Sequence, residues 1–256
     1  MMIRSDAIRI FLSLVFSIVI TVVSKVNASQ LDALNVEINK NPKNYRAYFN
    51  LAGILLDLKD YHGAAEKYQF LIDINEKVQL PVIEPFENTS QFLGRVHMGL
   101  GFALDFLNED QKAIRELKKA VSIDPGLENH LMLQTTLGAI YGDLGLKEKE
   151  LSQYQRVIEI DPKFYRAYLN LAIALGETGK ISQSITILER VIVIKPDYAK
   201  AYSQLGVAHE IMNNPKKAIK YYLIALKIYS NLNDEKPENE IKRRLERLYN
   251  VTETPS

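Results

Sequence analysis

The stretch NYRAYFNLA, residues 44–52, is written again as FYRAYLNLA at residues 164–172. Read as a helix, Tyr48, Leu51, Ala52 and Leu55 fall at i, i+3, i+4 and i+7, so all four share one face and that face is expected to be buried. The same offsets return as His97, Leu100, Gly101 and Leu104, as Gln134, Leu137, Gly138 and Tyr141, as Tyr168, Leu171, Ala172 and Leu175, and as Tyr202, Leu205, Gly206 and His209. A chain that rewrites one amphipathic helix this often can bury each copy only against its neighbours, which points to a stacked, all-α architecture.

A second helix is expected after DLKDYHG, where Ala64, Tyr68 and Leu71 share a side, and the short turn makes the pair antiparallel. Its later counterparts are Ala113, Leu117 and Ala120, then Glu150, Tyr154 and Val157, then Ser184, Leu188 and Val191, then Ala218, Tyr222 and Ala225. Small residues at Ala52, Gly101, Gly138, Ala172 and Gly206 predict a close approach of the two helix backbones. Asp-Pro-Gly at 124–126, Asp-Pro-Lys at 161–163 and Lys-Pro-Asp at 195–197 mark helix ends, since proline cannot continue a helix, and Pro162 and Pro196 lie 34 residues apart.

This pattern resembles the tetratricopeptide repeat, a helix-turn-helix unit with an aromatic-Leu-small order in its first helix and a closing Asp-Pro. The resemblance implies a right-handed superhelical solenoid of about five repeats, at 45–78, 94–127, 131–164, 165–198 and 199–232. An N-terminal capping helix is expected within 29–44, a short insertion at 128–130, and a C-terminal capping helix and tail at 233–256, with Ile241, Leu245, Leu248 and Tyr249 on its buried face. Departures from the pattern are His97 and Gln134 in place of a large apolar residue, Glu150 in place of alanine, and Ile74-Asn75-Glu76 without a closing proline.

Residues 79–93, QLPVIEPFENTSQFL, interrupt the series. They are either an idle surface loop or an extension reaching into a groove, and the apolar Val82, Ile83, Phe86 and Phe92 favour packing against something.

Ahead of the repeats, Arg4 and Arg9 precede fourteen apolar or small residues, Ile10 to Val23, and the stretch closes with Val26 and Ala28. Residues 1–28 therefore read as an export signal cleaved after Ala28, since a membrane span needs roughly 20 apolar residues. The alternative is an uncleaved N-terminal membrane anchor, and in either case the protein works outside the cytoplasm or at a membrane.

Without residues 1–28 the chain carries 29 basic and 30 acidic residues, which gives no broad attraction to nucleic acid or to an anionic bilayer. It has no cysteine, hence no disulfide, thiolate metal site or cysteine nucleophile. His62, His97, His130 and His209 show no metal-ligand spacing, and no nucleotide-binding, phosphate-binding or Gly-x-Ser-x-Gly motif occurs. No catalytic residue, metal or cofactor is expected. His97 and His209 fall on core registers and read as packing histidines, while Asn88-Thr89-Ser90 and Asn250-Val251-Thr252 match the glycosylation triplet.

In the family this chain resembles, the side of each first helix opposite its core face looks into a concave groove that holds partner peptides. That register reads Arg46, Arg95, Met132, Arg166 and Lys200, and one turn on Asn50, Gly99, Thr136, Asn170 and Gln204. Cations could pair with carboxylates, and amides could hydrogen-bond an extended backbone. The candidate binding residues are thus Arg46, Asn50, Arg95, Arg166, Asn170, Lys200 and Gln204, and the expected partner is an acid-leaning protein or peptide. The competing reading is a solvated face whose cations are neutralised by Asp57, Asp105, Glu177 or Glu210. Lys242, Arg243, Arg244 and Arg247 give the final helix a basic side, read as a solubilising cap.

Overall fold

Each first helix ends in a turn that returns the chain antiparallel to itself, and the five turns share one backbone device. In this computed structural model, which describes residues 29–232 and 234–253, a residue in the left-handed region follows each first helix: Lys59 (φ 65°), Asn108 (59°), Gly145 (71°), Gly179 (77°) and Asn213 (52°). The next amide then closes a bond back over the helix end: Asp60 N–H donates to the Leu55 carbonyl at 2.8 Å, and Asn214 N–H to that of His209 at 2.8 Å. Both satisfy carbonyls that a helix terminus leaves without partners.

The elements are α1 (29–40), α2 (Tyr45–Asp57), α3 (Tyr61–Val78), α4 (Thr89–Phe106), α5 (Asp110–Ile123), α6 (Leu131–Asp143), α7 (Lys147–Ile160), α8 (Tyr165–Glu177), α9 (Ile181–Ile194), α10 (Ala199–Ile211), α11 (Pro215–Leu232) and α12 (Glu235–Glu253). A 3₁₀ turn, Pro125–Asn129, follows α5, and no strand occurs among the described residues. No described helix is long and apolar enough to cross a membrane. The export signal or anchor expected over residues 1–28 lies outside the described residues.

Several starts are fixed by side-chain caps. Asn44 accepts from Ala47 N–H at 3.1 Å, Asp60 from Gly63 N–H at 2.9 Å, and Asn88 from Gln91 N–H at 2.9 Å. Asn88, read above as part of a glycosylation triplet, therefore has a structural task of its own. Helix α12 begins two residues before Pro237, because the first helical turn tolerates a residue without an N–H.

The helices form two compact units, one up to Leu133 and one from Gln134 onward. In the first unit α3 packs between α2 and α4, and α4 pairs with α5. Its core includes Leu71, Phe92, Val96, Leu117 and Leu127, all fully buried. The expected departure at His97 is satisfied: its buried ring donates from Nδ1 to Glu116 Oε2 at 2.7 Å, and that hydrogen bond holds the Glu116 carboxyl below its usual range.

The inserted segment packs down on this unit. Leu80 and Ile83 are buried, Leu80 N–H donates to Asn75 Oδ1 at 3.0 Å, and Phe86 meets Phe49 at 5.7 Å and Phe92 at 5.4 Å between ring centroids. Val82, expected to pack, is instead 55% exposed. Alternate residues of an extended stretch point to opposite sides, so Ile83 goes in and Val82 goes out.

In the second unit α6 to α11 continue as antiparallel pairs, and α12 lies on α11. The small positions do admit a close neighbour, but it is a ring or side chain rather than a backbone. A Cβ on Gly138 would come within 2.6 Å of Tyr154, and one on Gly206 within 2.4 Å of Tyr222. Each tyrosine thereby buries nearly its whole ring against bare helix. Glu150, the other irregular position, is accommodated by Gly142, where a Cβ would meet its Oε1 at 2.6 Å.

Helix α12 buries Ile241 and Leu245 against Ala218, Tyr222 and Ala225, with Leu248 beside them. Tyr249, expected on that face, is 42% exposed. At 100° per residue it has drifted about 80° from Ile241, off the seam.

Candidate functional site

The seven candidate residues divide between the units. In the first, Arg46 and Asn50 stand exposed one turn apart on α2, and Arg95 is half-buried on α4. The Arg95 charge adds to burial in holding the His130 pKa below its ordinary value. Asn50 lines a cleft between α1 and α2 that neither Arg46 nor Arg95 enters.

In the second unit, α8 and α10 pack side by side across α9. Arg166 and Lys200 occupy matching first-turn positions and are exposed, while Asn170 and Gln204 follow one turn later and are half-buried. Gln204 lines a cleft of about 290 Å³ together with Ile173, Gly176, Glu177, Val207 and Ile211. Those aliphatic residues were missed from the sequence, although the signal was present: Ile173 and Val207 lie three residues beyond Asn170 and Gln204, so one more turn of the same register reaches them. Ile211, 61% exposed, leaves apolar surface open at the cleft.

The carboxylates expected to neutralise these cations are engaged elsewhere in this unit. Lys147 Nζ donates to Glu177 Oε2 at 2.5 Å and to Glu150 Oε2 at 2.9 Å. The Glu177 bond first, then the Glu150 bond, hold that ammonium above its ordinary range. Glu210 accepts from Tyr222 OH at 2.8 Å and from Arg244 Nη1 at 3.2 Å, and Arg244 also reaches Glu240 at 3.3 Å. Burial, then the Glu210 bond, push the Tyr222 phenol well above its usual value. Arg166 lies 6.0 Å from the Tyr165 ring and its charge partly offsets the upward push of burial on the Tyr198 phenol, and neither it nor Lys200 forms an ion pair among the described residues.

Chemically, α8 and α10 offer two exposed cations with an amide one turn on from each, and an aliphatic cleft that Gln204 lines but Arg166, Asn170 and Lys200 do not, its one charged lining residue being Glu177. This arrangement can hold an extended acidic segment by charge and backbone amide bonds. Among the described residues no three His, Asp or Glu side chains gather as metal ligands would.

Sequence models described as tetratricopeptide repeat match residues 32–76, 94–127, 133–164, 153–186 and 199–234, together more than half of the chain. Solved structures of similar fold include the following three. YrrB, described as a TPR protein with an unusual peptide-binding site, is 18% identical over 85% of this chain and 99% of its own, with a TM-score of 0.57. MamA from Desulfovibrio magneticus RS-1 is 17% identical over 73% and 96%, with a TM-score of 0.59. BtubC from P. vanneervenii is 16% identical over 81% and 90%, with a TM-score of 0.64. A search of curated proteins returned no match. The registers, the paired helices and these matches agree, and the chain belongs to the tetratricopeptide repeat family.

Proposed function

We propose that this protein is a non-catalytic scaffold that binds an acid-leaning segment of a partner protein, in the assembly or stabilisation of a protein complex. The observation that carries the reading is electrostatic: Arg166 and Lys200 stay uncompensated while Glu177 and Glu210, on the same two helices, are tied to Lys147 and Arg244. A pair of exposed cations, each with a half-buried amide one turn on, suits a carboxylate-bearing ligand with an extended backbone. Asn170 and Gln204 would bond its backbone, and Arg46, Asn50 and Arg95 are the corresponding groups of the first unit. The peptide-binding site named for YrrB supports a peptide as the ligand. Because the helices are packed before binding, little conformational freedom is lost on association.

The partner is obtained by affinity capture from native extract with the full chain as bait. Its affinity is then compared with that for a variant carrying Arg46→Ala, Arg166→Ala and Lys200→Ala. The reading expects weaker binding by about tenfold or more and a clear fall with added salt. Equal affinity and no salt dependence would remove it.

The proposal also sets the scaffold outside the cytoplasm, on the strength of residues 1–28 alone. Sequencing the mature N-terminus decides between release, which leaves Ser29 first, and anchorage through residues 8–26, which retains Met1 or Met2.

A further inference from the structure

Two glycines inside helices have no packing reason to be glycine. A Cβ on Gly53 would meet nothing nearer than the Tyr68 hydroxyl at 4.0 Å, and one on Gly176 nothing nearer than Ser184 Oγ at 3.7 Å. Both are ordinary contacts, whereas the same atom on Gly99 or Gly101 would run into a neighbouring side chain at 2.3 or 2.7 Å. A helix-interior glycine is destabilising relative to alanine, so bare backbone under open space is a penalty the fold does not require. Close approach of a ligand is one use for it.

Gly53 opens on the cleft between α1 and α2, a space of about 530 Å³. Leu34, Phe49 and Ile54 make it apolar, and its charged lining residues are both acids, Glu37 and Asp57. Glu37 Oε1 accepts from Asn44 Nδ2 at 2.6 Å, while the Asp57 carboxylate has no hydrogen bond or ion pair among the described residues. Its field acts instead on the buried Tyr68, whose phenol burial first and Asp57 second push up to about 12. The charge here is opposite to that of Arg166 and Lys200.

We infer that the α1–α2 cleft docks a segment of a partner protein in which an aliphatic or aromatic side chain stands beside a lysine or arginine. The apolar side chain lies over the bare backbone of Gly53, and the cation pairs with Asp57 and Glu37. This goes beyond the acid-binding reading above, which rests on the exposed cations Arg166 and Lys200 of the second unit, whereas the charged residues lining the α1–α2 cleft are both acids.

The test titrates the full chain with three fluorescein-labelled short peptides. One carries a leucine flanked by lysines, one has glutamates for the lysines, and one has alanine for the leucine. The lysine-leucine peptide is expected to bind at least about tenfold more tightly than either control. Gly53→Leu fills the cleft and removes the binding, while Gly53→Ala, whose Cβ has room, does not lower the melting temperature. Asp57→Asn with Glu37→Gln, which keeps an acceptor for Asn44, weakens binding about tenfold and flattens its salt dependence. Arg166→Ala with Lys200→Ala leaves it unchanged, so a failure here is distinct from a failure of the acid-binding reading. Undiminished binding to the Gly53→Leu protein, equal binding of the glutamate peptide, no binding of the lysine peptide, or loss on removing Arg166 and Lys200 overturns the inference.

Discussion

The ring of Tyr222 lies so close to Gly206 that a single added methyl group would come within 2.4 Å of its Cε1. Tyr222 is fully buried and its hydroxyl is fixed by Glu210, so the ring has nowhere to retreat. Gly206→Ala is therefore expected to destabilise the second unit by about 1–3 kcal/mol, despite the better helix propensity of alanine. Urea unfolding followed by circular dichroism measures this, and a stabilised variant would mean that the joint is looser than the geometry requires.

Lys59 holds a left-handed conformation that the equivalent turns give to Gly145, Gly179, Asn108 and Asn213. An ordinary side chain there costs roughly 1–2 kcal/mol, of which glycine's greater freedom when unfolded cancels part. Lys59→Gly should raise stability by about 0.5–1 kcal/mol, whereas the same change at exposed Lys118, within α5, should lower it. Opposite signs at the two sites in matched denaturation curves are the expected outcome.

Arg244 reaches Glu210 on α10 and Glu240 on its own helix. The groups are part-exposed, so the loss in Arg244→Ala is set at about 1 kcal/mol rather than at the value of a buried pair. It should be local: amide exchange across 238–250 should quicken while that of α8 stays as it was. Uniform acceleration across the second unit would contradict a local anchor.

Burial first, and then Lys217, hold the His209 pKa below its ordinary value, against a smaller opposing pull from Glu189. The ring stacks on Tyr221 at 5.4 Å with its plane 4° away. With a folded-state pKa lower than the unfolded one, the unfolded chain takes up the proton first as pH falls. Stability is complete above about pH 6.5 and drains as pH drops through that value toward the folded pKa. His209→Phe should flatten this dependence between about pH 7.5 and 5.5. His130, shifted in the same direction by burial and Arg95, leaves a residual slope, while the Glu116 contribution is lost only at more acid pH. Chemical denaturation of both proteins at the two pH values checks the sign.

The helices were legible in the sequence because their apolar spacing is an internal property of each segment, which is why Leu51, Leu100, Leu137, Leu171 and Leu205 are all buried where expected. The joint between helices was half legible. A small residue signals that something comes close, but only the structure shows that Tyr154 and Tyr222 are what arrives. Charge neutralisation was the least legible. Glu177 and Glu210 share helices with Arg166 and Lys200, yet Lys147 and Arg244 take them from 30 and 34 residues away, a separation no local register reveals. The α1–α2 cleft escaped for a related reason: α1 has no counterpart among the repeats, so nothing in their spacing shows that Glu37 lines the same space as Asp57.

Helix α12 has one more consequence. By laying Ile241 and Leu245 over Ala218, Tyr222 and Ala225, it occupies the side of α11 that a further hairpin would otherwise cover. That side of α11 is therefore already covered, and α12 turns the exposed charges of Arg243, Glu246 and Arg247 outward in its place.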